Sequence, residues 1–184
     1  SLLTVNRDSV SVGDTLTLLD EAMTTHAASV SDAPRKLQLE VRHLSVAPGA
    51  SIIVDGLGYP AGTAESPYAP SILAGYAGGS HGGLGASDDN GTASALPYGL
   101  LEQPELPGGG SAQGGAGGGM VTINAEQTVT IKGLLSANGE DNAQGGGAGG
   151  TIRIHSPSLL GDGQISANGG TGGQASCGVM CTVS

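Results

Sequence analysis

Thirty-four of the 35 glycines fall at Gly49 or later, many in runs such as Gln144-Gly-Gly-Gly-Ala-Gly-Gly150. A run of this kind has no side chain to bury and gives up much backbone entropy on folding. It stays ordered only when backbone packs against backbone. The glycines follow no strict three-residue period with abundant proline, which excludes collagen. Aromatic residues are four Tyr, with no Phe or Trp, in 184 residues. A globule so composed buries unusually little apolar area. Small side chains stacked in register suit a layered, repetitive architecture better.

The repetition can be read directly. Val121-Thr-Ile123, Val129-Thr-Ile131-Lys-Gly133 and Leu135-Ser-Ala-Asn138-Gly139 are answered by Ile152-Arg-Ile154, Leu159, Gly161-Asp-Gly163 and Ile165-Ser-Ala-Asn168-Gly169. Gly133 to Gly163 and Asn138 to Asn168 are shifts of 30, and Ile123 to Ile154 is 31. A third copy is read upstream, with Val46, Ile52, Val54 and Gly56 mapped onto Ile123, Val129, Ile131 and Gly133 by a shift of 77. Each unit reads as a strand, a tight turn, a second strand ending at Gly, and a Ser-Ala-Asn-Gly corner. A Gly-rich return follows, expected to run in polyproline-II-like fashion beside its neighbours. Stacked at about 4.8 Å, such units satisfy one another's backbone groups, which predicts an all-β parallel β-solenoid.

One domain spanning 1–184 is expected, with first coils over 1–56, a Gly- and Pro-rich flap over 57–119 and repeated coils over 120–184. Val10 to Leu18 and Leu37 to Val41 alternate polar and apolar residues, the period of half-buried strands, and Gly13-Asp14 marks a turn or bulge. Residues 20–33 read as a loop excursion. Pro60, Pro67, Pro70, Pro97, Pro104 and Pro107 break regular structure in the flap, which also holds Tyr59, Tyr68, Tyr76 and Tyr98.

The formal net charge is −10, and no Lys or Arg occurs between Arg42 and Lys132, so no nucleic-acid partner is expected. No run of 18 apolar residues occurs, so no membrane insertion is expected either.

The order Val12-Gly-Asp-Thr-Leu-Thr-Leu18, Leu44-Ser-Val-Ala-Pro-Gly-Ala-Ser-Ile-Ile-Val-Asp-Gly-Leu-Gly-Tyr59, Gly78-Gly-Ser-His-Gly-Gly-Leu-Gly85, Pro97-Tyr-Gly99, Pro107-Gly-Gly-Gly110, Gly149-Gly-Thr-Ile-Arg-Ile154 and Ile165-Ser-Ala-Asn-Gly-Gly170 resembles a known class. It is that of the Gly-rich β-helix segments of large secreted or surface-attached proteins, bacterial and some eukaryotic. The resemblance implies a right-handed parallel β-helix and an extracellular structural or adhesive setting, and it carries over no enzymatic activity. The sequence stops in what reads as another coil, Val179-Met-Cys-Thr-Val183, so the chain is expected to be one segment of something longer, or a subunit with an open end.

Several constellations remain as candidate sites. Asp88-Asp89-Asn90 and Glu140-Asp141-Asn142 each gather oxygen ligands in a loop, as calcium prefers, although solvated turn residues are the simpler reading. His26, His43, His81 and His155 stand far apart. His81, set between glycine pairs, joins Tyr59, Tyr68, Tyr76 and Tyr98 as a candidate ligand-binding set, with a structural ring-to-backbone bond as the simpler reading. Asp55, Asp162, Arg153 and Lys132 are what a polysaccharide lyase or hydrolase would draw on. The near absence of sugar-stacking aromatics argues against that chemistry. Cys177 and Cys181 are expected to form a small disulfide loop in an extracellular chain. Asn90-Gly-Thr92 is a glycosylation sequon if the source is eukaryotic.

The function expected is a rigid extracellular spacer or filament subunit, joined to itself or to neighbouring segments through Leu2 to Val5 and Val179 to Val183. A glycan-binding adhesin using the flap is the alternative, and a polysaccharide-degrading enzyme the third.

Overall fold

The computed structural model describes residues 1–5, 9–30, 33–62, 75–100 and 102–173. Among these residues ten strands form: β1 (Leu2–Val5), β2 (Val10–Leu18), β3 (Met23–His26), β4 (Leu37–Val46), β5 (Ser51–Ile53), β6 (Met120–Ile131), β7 (Leu134–Ser136), β8 (Thr151–His155), β9 (Ser158–Leu160) and β10 (Gln164–Ser166). They assemble into two five-stranded sheets. The first has the order β1-β3-β5-β7-β10, the second β2-β4-β6-β8, with β9 also paired to β6. Every strand-to-strand pairing is parallel.

This corrects the expected fold class. The strands make two separate parallel sheets and not a closed right-handed β-helix. The physical reason lies in the glycine runs. A strand ladder joins one edge to one partner, whereas the Gly-rich segments distribute their amides among several. Gly115 and Gly118 donate to Gly145 and Ala148, and Gly117 donates to Tyr59. On the opposing segment, Gly108 and Ser111 donate to Gly118 and Gly115. Amides three apart thus reach the same neighbour, which is the repeat of an extended three-residue-per-turn helix. These segments lie side by side without joining either sheet.

The upstream copy is corrected too. Val46 pairs with Ile131, and Ile123 stands opposite Leu39 and Ile154. The offset between β4 and β6 is therefore 123 − 39 = 84 before the bulge and 131 − 46 = 85 after it, not 77. The reading aligned a strand, turn and strand upstream with what is one twelve-residue strand, β6. Val46 and Ile52 actually belong to different sheets. By contrast, Ile123 with Ile154 and Leu135 with Ile165 stand at the offsets of 31 and 30 read from the sequence. The loop reading of residues 20–33 overlooked β3, whose Met-Thr-Thr-His pairs in parallel between β1 and β5.

The core lies along columns of aliphatic side chains, one from each strand. Val10, Leu39, Ile123 and Ile154 follow one another across the second sheet, as do Leu16, Leu44, Val129 and Leu159. Thr24, Ile52, Leu135 and Ile165 make the matching column in the first. Leu39, Leu44, Ile52, Ile123, Val129 and Leu135 are fully buried, each worth roughly 1.5–3 kcal/mol relative to exposure. Bulges interrupt β2 between Val12 and Thr15 and β6 between Ala125 and Thr128, each opposite the Val41 to His43 stretch of β4. The next layer breaks into β8 and β9 around Pro157, which has no amide to offer a ladder.

Candidate functional site

The described part of the flap packs over the Gly-rich segments and β8. Two concavities border it. A cleft of about 660 Å³ runs between Tyr76, His81 and Asp88 on the flap side and a floor of Gly145 to Gly149. A more apolar groove of about 600 Å³ is lined by His81, Tyr98, Leu100, Ile152, Ile154 and Ile165.

His81 stands at both. Its Nδ1 lies 2.9 Å from the Gly149 carbonyl, so the ring donates there from Nδ1. The ring tilts against Tyr98 at 5.1 Å. Burial lowers its pKa below the ordinary imidazole value, and the bond to Gly149 opposes that shift without cancelling it. The Tyr98 hydroxyl donates to the Pro107 carbonyl at 2.6 Å, and its ring meets Tyr59 edge-on at 6.2 Å. Thr151 donates to the Leu106 carbonyl at 2.7 Å and ties β8 to the same stretch.

These contacts break up the expected ligand-binding set. Tyr59 is 1% exposed and belongs to the packing beneath the flap. The Tyr98 hydroxyl and the His81 Nδ1 are spent on backbone carbonyls. Tyr76, 53% exposed, remains available on the cleft rim, and Tyr68 lies outside the described residues.

The acidic clusters are likewise engaged by their own loops. Asp88 Oδ1 accepts the amides of Thr92 (2.7 Å) and Asn90 (3.0 Å), and Oδ2 accepts that of Tyr76 (3.2 Å). Desolvation pushes the Asp88 pKa up, but the hydrogen bonds from Thr92, Tyr76 and Asn90 outweigh it and leave the pKa low. Asp89 and Asn90 are exposed, with the sequon on this turn. Asp141 accepts the Thr171 amide at 2.6 Å, and bonds from Thr171 lower its pKa. Glu140 accepts the Ala116 amide and Asn142 that of Gln144. Among the described residues, no group of three or more His, Cys, Asp and Glu is placed to hold a metal ion.

Asp55, a candidate for sugar chemistry, accepts the Ser136 hydroxyl and the Asn138 amide, each at 2.6 Å. Arg153 lies 3.9 Å from Glu105. Lys132 and Asp162 sit exposed in successive turns. His43 and His155 lie in different strands of the second sheet, and His26 is buried elsewhere. Cys177 and Cys181 lie outside the described residues.

Sequence reasoning overlooked two groups. The Asp55, Asn138 and Asn168 corners form a ladder, because Asn138 Oδ1 accepts the Asn168 amide at 2.8 Å just as Asp55 accepts that of Asn138. The repeated Ser-Ala-Asn-Gly was the available signal, and Asp55 escaped it because Ile53-Val54 replace Ser-Ala. The other is His26, on the buried phase of β3, discussed below. No protein-family model, curated protein or solved structure matches the chain.

Proposed function

We propose that the chain is an extracellular structural module, a stiff spacer of parallel strands that joins neighbours through the open edges of its terminal strands. The observation that carries this reading is the contrast between middle and ends. Among the described residues, β1 and β2 lie at one edge of their sheets and β8, β9 and β10 at the other. Leu3, Leu159 and Ile165 are each between 44% and 52% exposed there, while the equivalent Thr24, Ile52, Leu135, Val129 and Leu44 of the middle strands are buried. Exposed strand edges with uncovered aliphatics are templates for further pairing. The second junction expected from the sequence, Val179 to Val183, lies outside the described residues.

Most polar side chains of the flap and corners hold their own backbone, which suits a scaffold and leaves this reading with no catalytic role. The exposed Asn90 turn fits the extracellular part of it. Sedimentation of the full chain over a range of concentrations tests the proposal. Elongated species should grow with concentration and vanish on deleting residues 1–9. A strictly monomeric chain at high micromolar concentration would sink the reading. Tyr76 on the cleft rim favours one competitor, a glycan-binding flap. Glycan-array binding lost in Tyr76→Ala would raise that reading above the scaffold.

A further inference from the structure

His26 is the last residue of β3 and is 2% exposed. Its column in the first sheet continues with apolar Val54 and Ala137, both fully buried, so an ionisable ring occupies a core position. The Nδ1 atom lies 2.6 Å from the Ala27 carbonyl, an acceptor only, and therefore carries the proton. That leaves Nε2 as an acceptor, and the Met120 amide donates to it at 3.4 Å. The ladder between β4 and β6 begins at Leu37 and Val121, one residue beyond Met120. His26 thus receives an amide that the ladder does not take up. It does so where the Gly-rich return of the flap enters β6, with Gly119 packed directly against the ring.

We propose that His26 is an acid-release clasp, holding the junction between flap and sheets while its ring is neutral and freeing it when Nε2 takes up a proton. The step is a simple proton uptake from solvent. Once protonated, Nε2 becomes a donor facing the Met120 donor, so a hydrogen bond turns into a repulsion inside the core. The facing groups offer the charge no relief. Val54 from β5 is apolar, Gly119 and Met120 at the head of β6 present backbone, and Val5 is the backbone partner on β1. Arg35, ahead of β4, is the charge that reaches the ring, and it is of the same sign. Burial is the main cause holding the His26 pKa below the ordinary imidazole value, with Arg35 adding to it and the Ala27 bond opposing. Release therefore belongs to mildly acid conditions, below the pH where an exposed histidine titrates. The inference stands apart from the scaffold reading, since it concerns one internal contact.

Amide hydrogen exchange by NMR on the full chain tests it. Protection of Met120, corrected for intrinsic exchange, should fall about tenfold for each pH unit below the His26 pKa, while Ile123 in mid-strand holds. His26→Gln keeps an acceptor that does not titrate, and its Met120 protection should stay flat with pH. Unchanged Met120 protection in the parent chain, or an equal fall in His26→Gln, overturns the proposal. If His26→Gln does not fold, the ring resonances decide on the parent chain alone. Titration of His26 in step with the Met120 amide shift supports the clasp, and titration without it refutes the clasp.

Discussion

Asp55 and Asn138 perform one task in successive layers, in which a side-chain oxygen captures the amide of the layer that follows, first that of Asn138 and then that of Asn168. Replacing Asp55 with Ala removes the acceptor for both the Ser136 hydroxyl and the Asn138 amide. It should lower unfolding stability by about 1–3 kcal/mol in urea titrations, whereas Asp55→Asn, which keeps an oxygen there, should cost less. Glycines separate just as sharply by surroundings. A Cβ on Gly147 would run into the Ala116 carbonyl, while one on Gly83 meets nothing within 4 Å. Gly147→Ala should therefore destabilise by about 1–3 kcal/mol or more, and Gly83→Ala by no more than about 0.5 kcal/mol, read from denaturant midpoints.

At the scale of elements, legibility followed side-chain chemistry. The β-branched and Leu-rich alternation of β2, β4, β8 and the two halves of β6 was visible because a strand with one buried face must repeat every second residue. β3 was not, because Thr24 and His26 fill its buried phase where an aliphatic would have signalled a strand. The bulge in β6 was taken for a turn, since Glu126-Gln127 interrupt the alternation as a turn would. That single misreading displaced the upstream copy onto the wrong sheet. The candidate site was less legible still. Whether Tyr59 faces solvent or packs beneath the flap depends on contacts from Gly108 and Gly117, distant in sequence and without side chains to betray them. Ile123 tests the columns. Its truncation to Ala, between Leu39 and Ile154, should cost about 2–5 kcal/mol with no change in the sheets' circular-dichroism signature.

For the molecule taken together, the ionisable groups with shifted pKa values among the described residues all favour one direction of pH. His26 and His81 titrate below the ordinary imidazole value of 6.5 in the folded chain. The unfolded chain therefore binds their protons first. Their contribution is complete above about pH 6.5 and is lost as pH falls through the folded values. Asp88 and Asp141 titrate below the ordinary carboxylate value of 3.8, so what they add is held above it and lost in stronger acid. Urea unfolding followed from pH 8 downwards should show stability declining in two stages, the first flattened in a His26→Gln, His81→Gln double variant. A rise in stability between pH 7 and 5 would contradict these assignments.

The three-residue rhythm of the Gly-rich segments has a consequence for how such a chain is able to change length. Adding one residue between Gly108 and Gly119 would turn every later amide by about a third of a revolution, aiming each at the wrong neighbour. Adding three would return them to their partners. Length variation in this region is therefore quantised, and insertions of one or two residues should unfold what an insertion of three leaves standing.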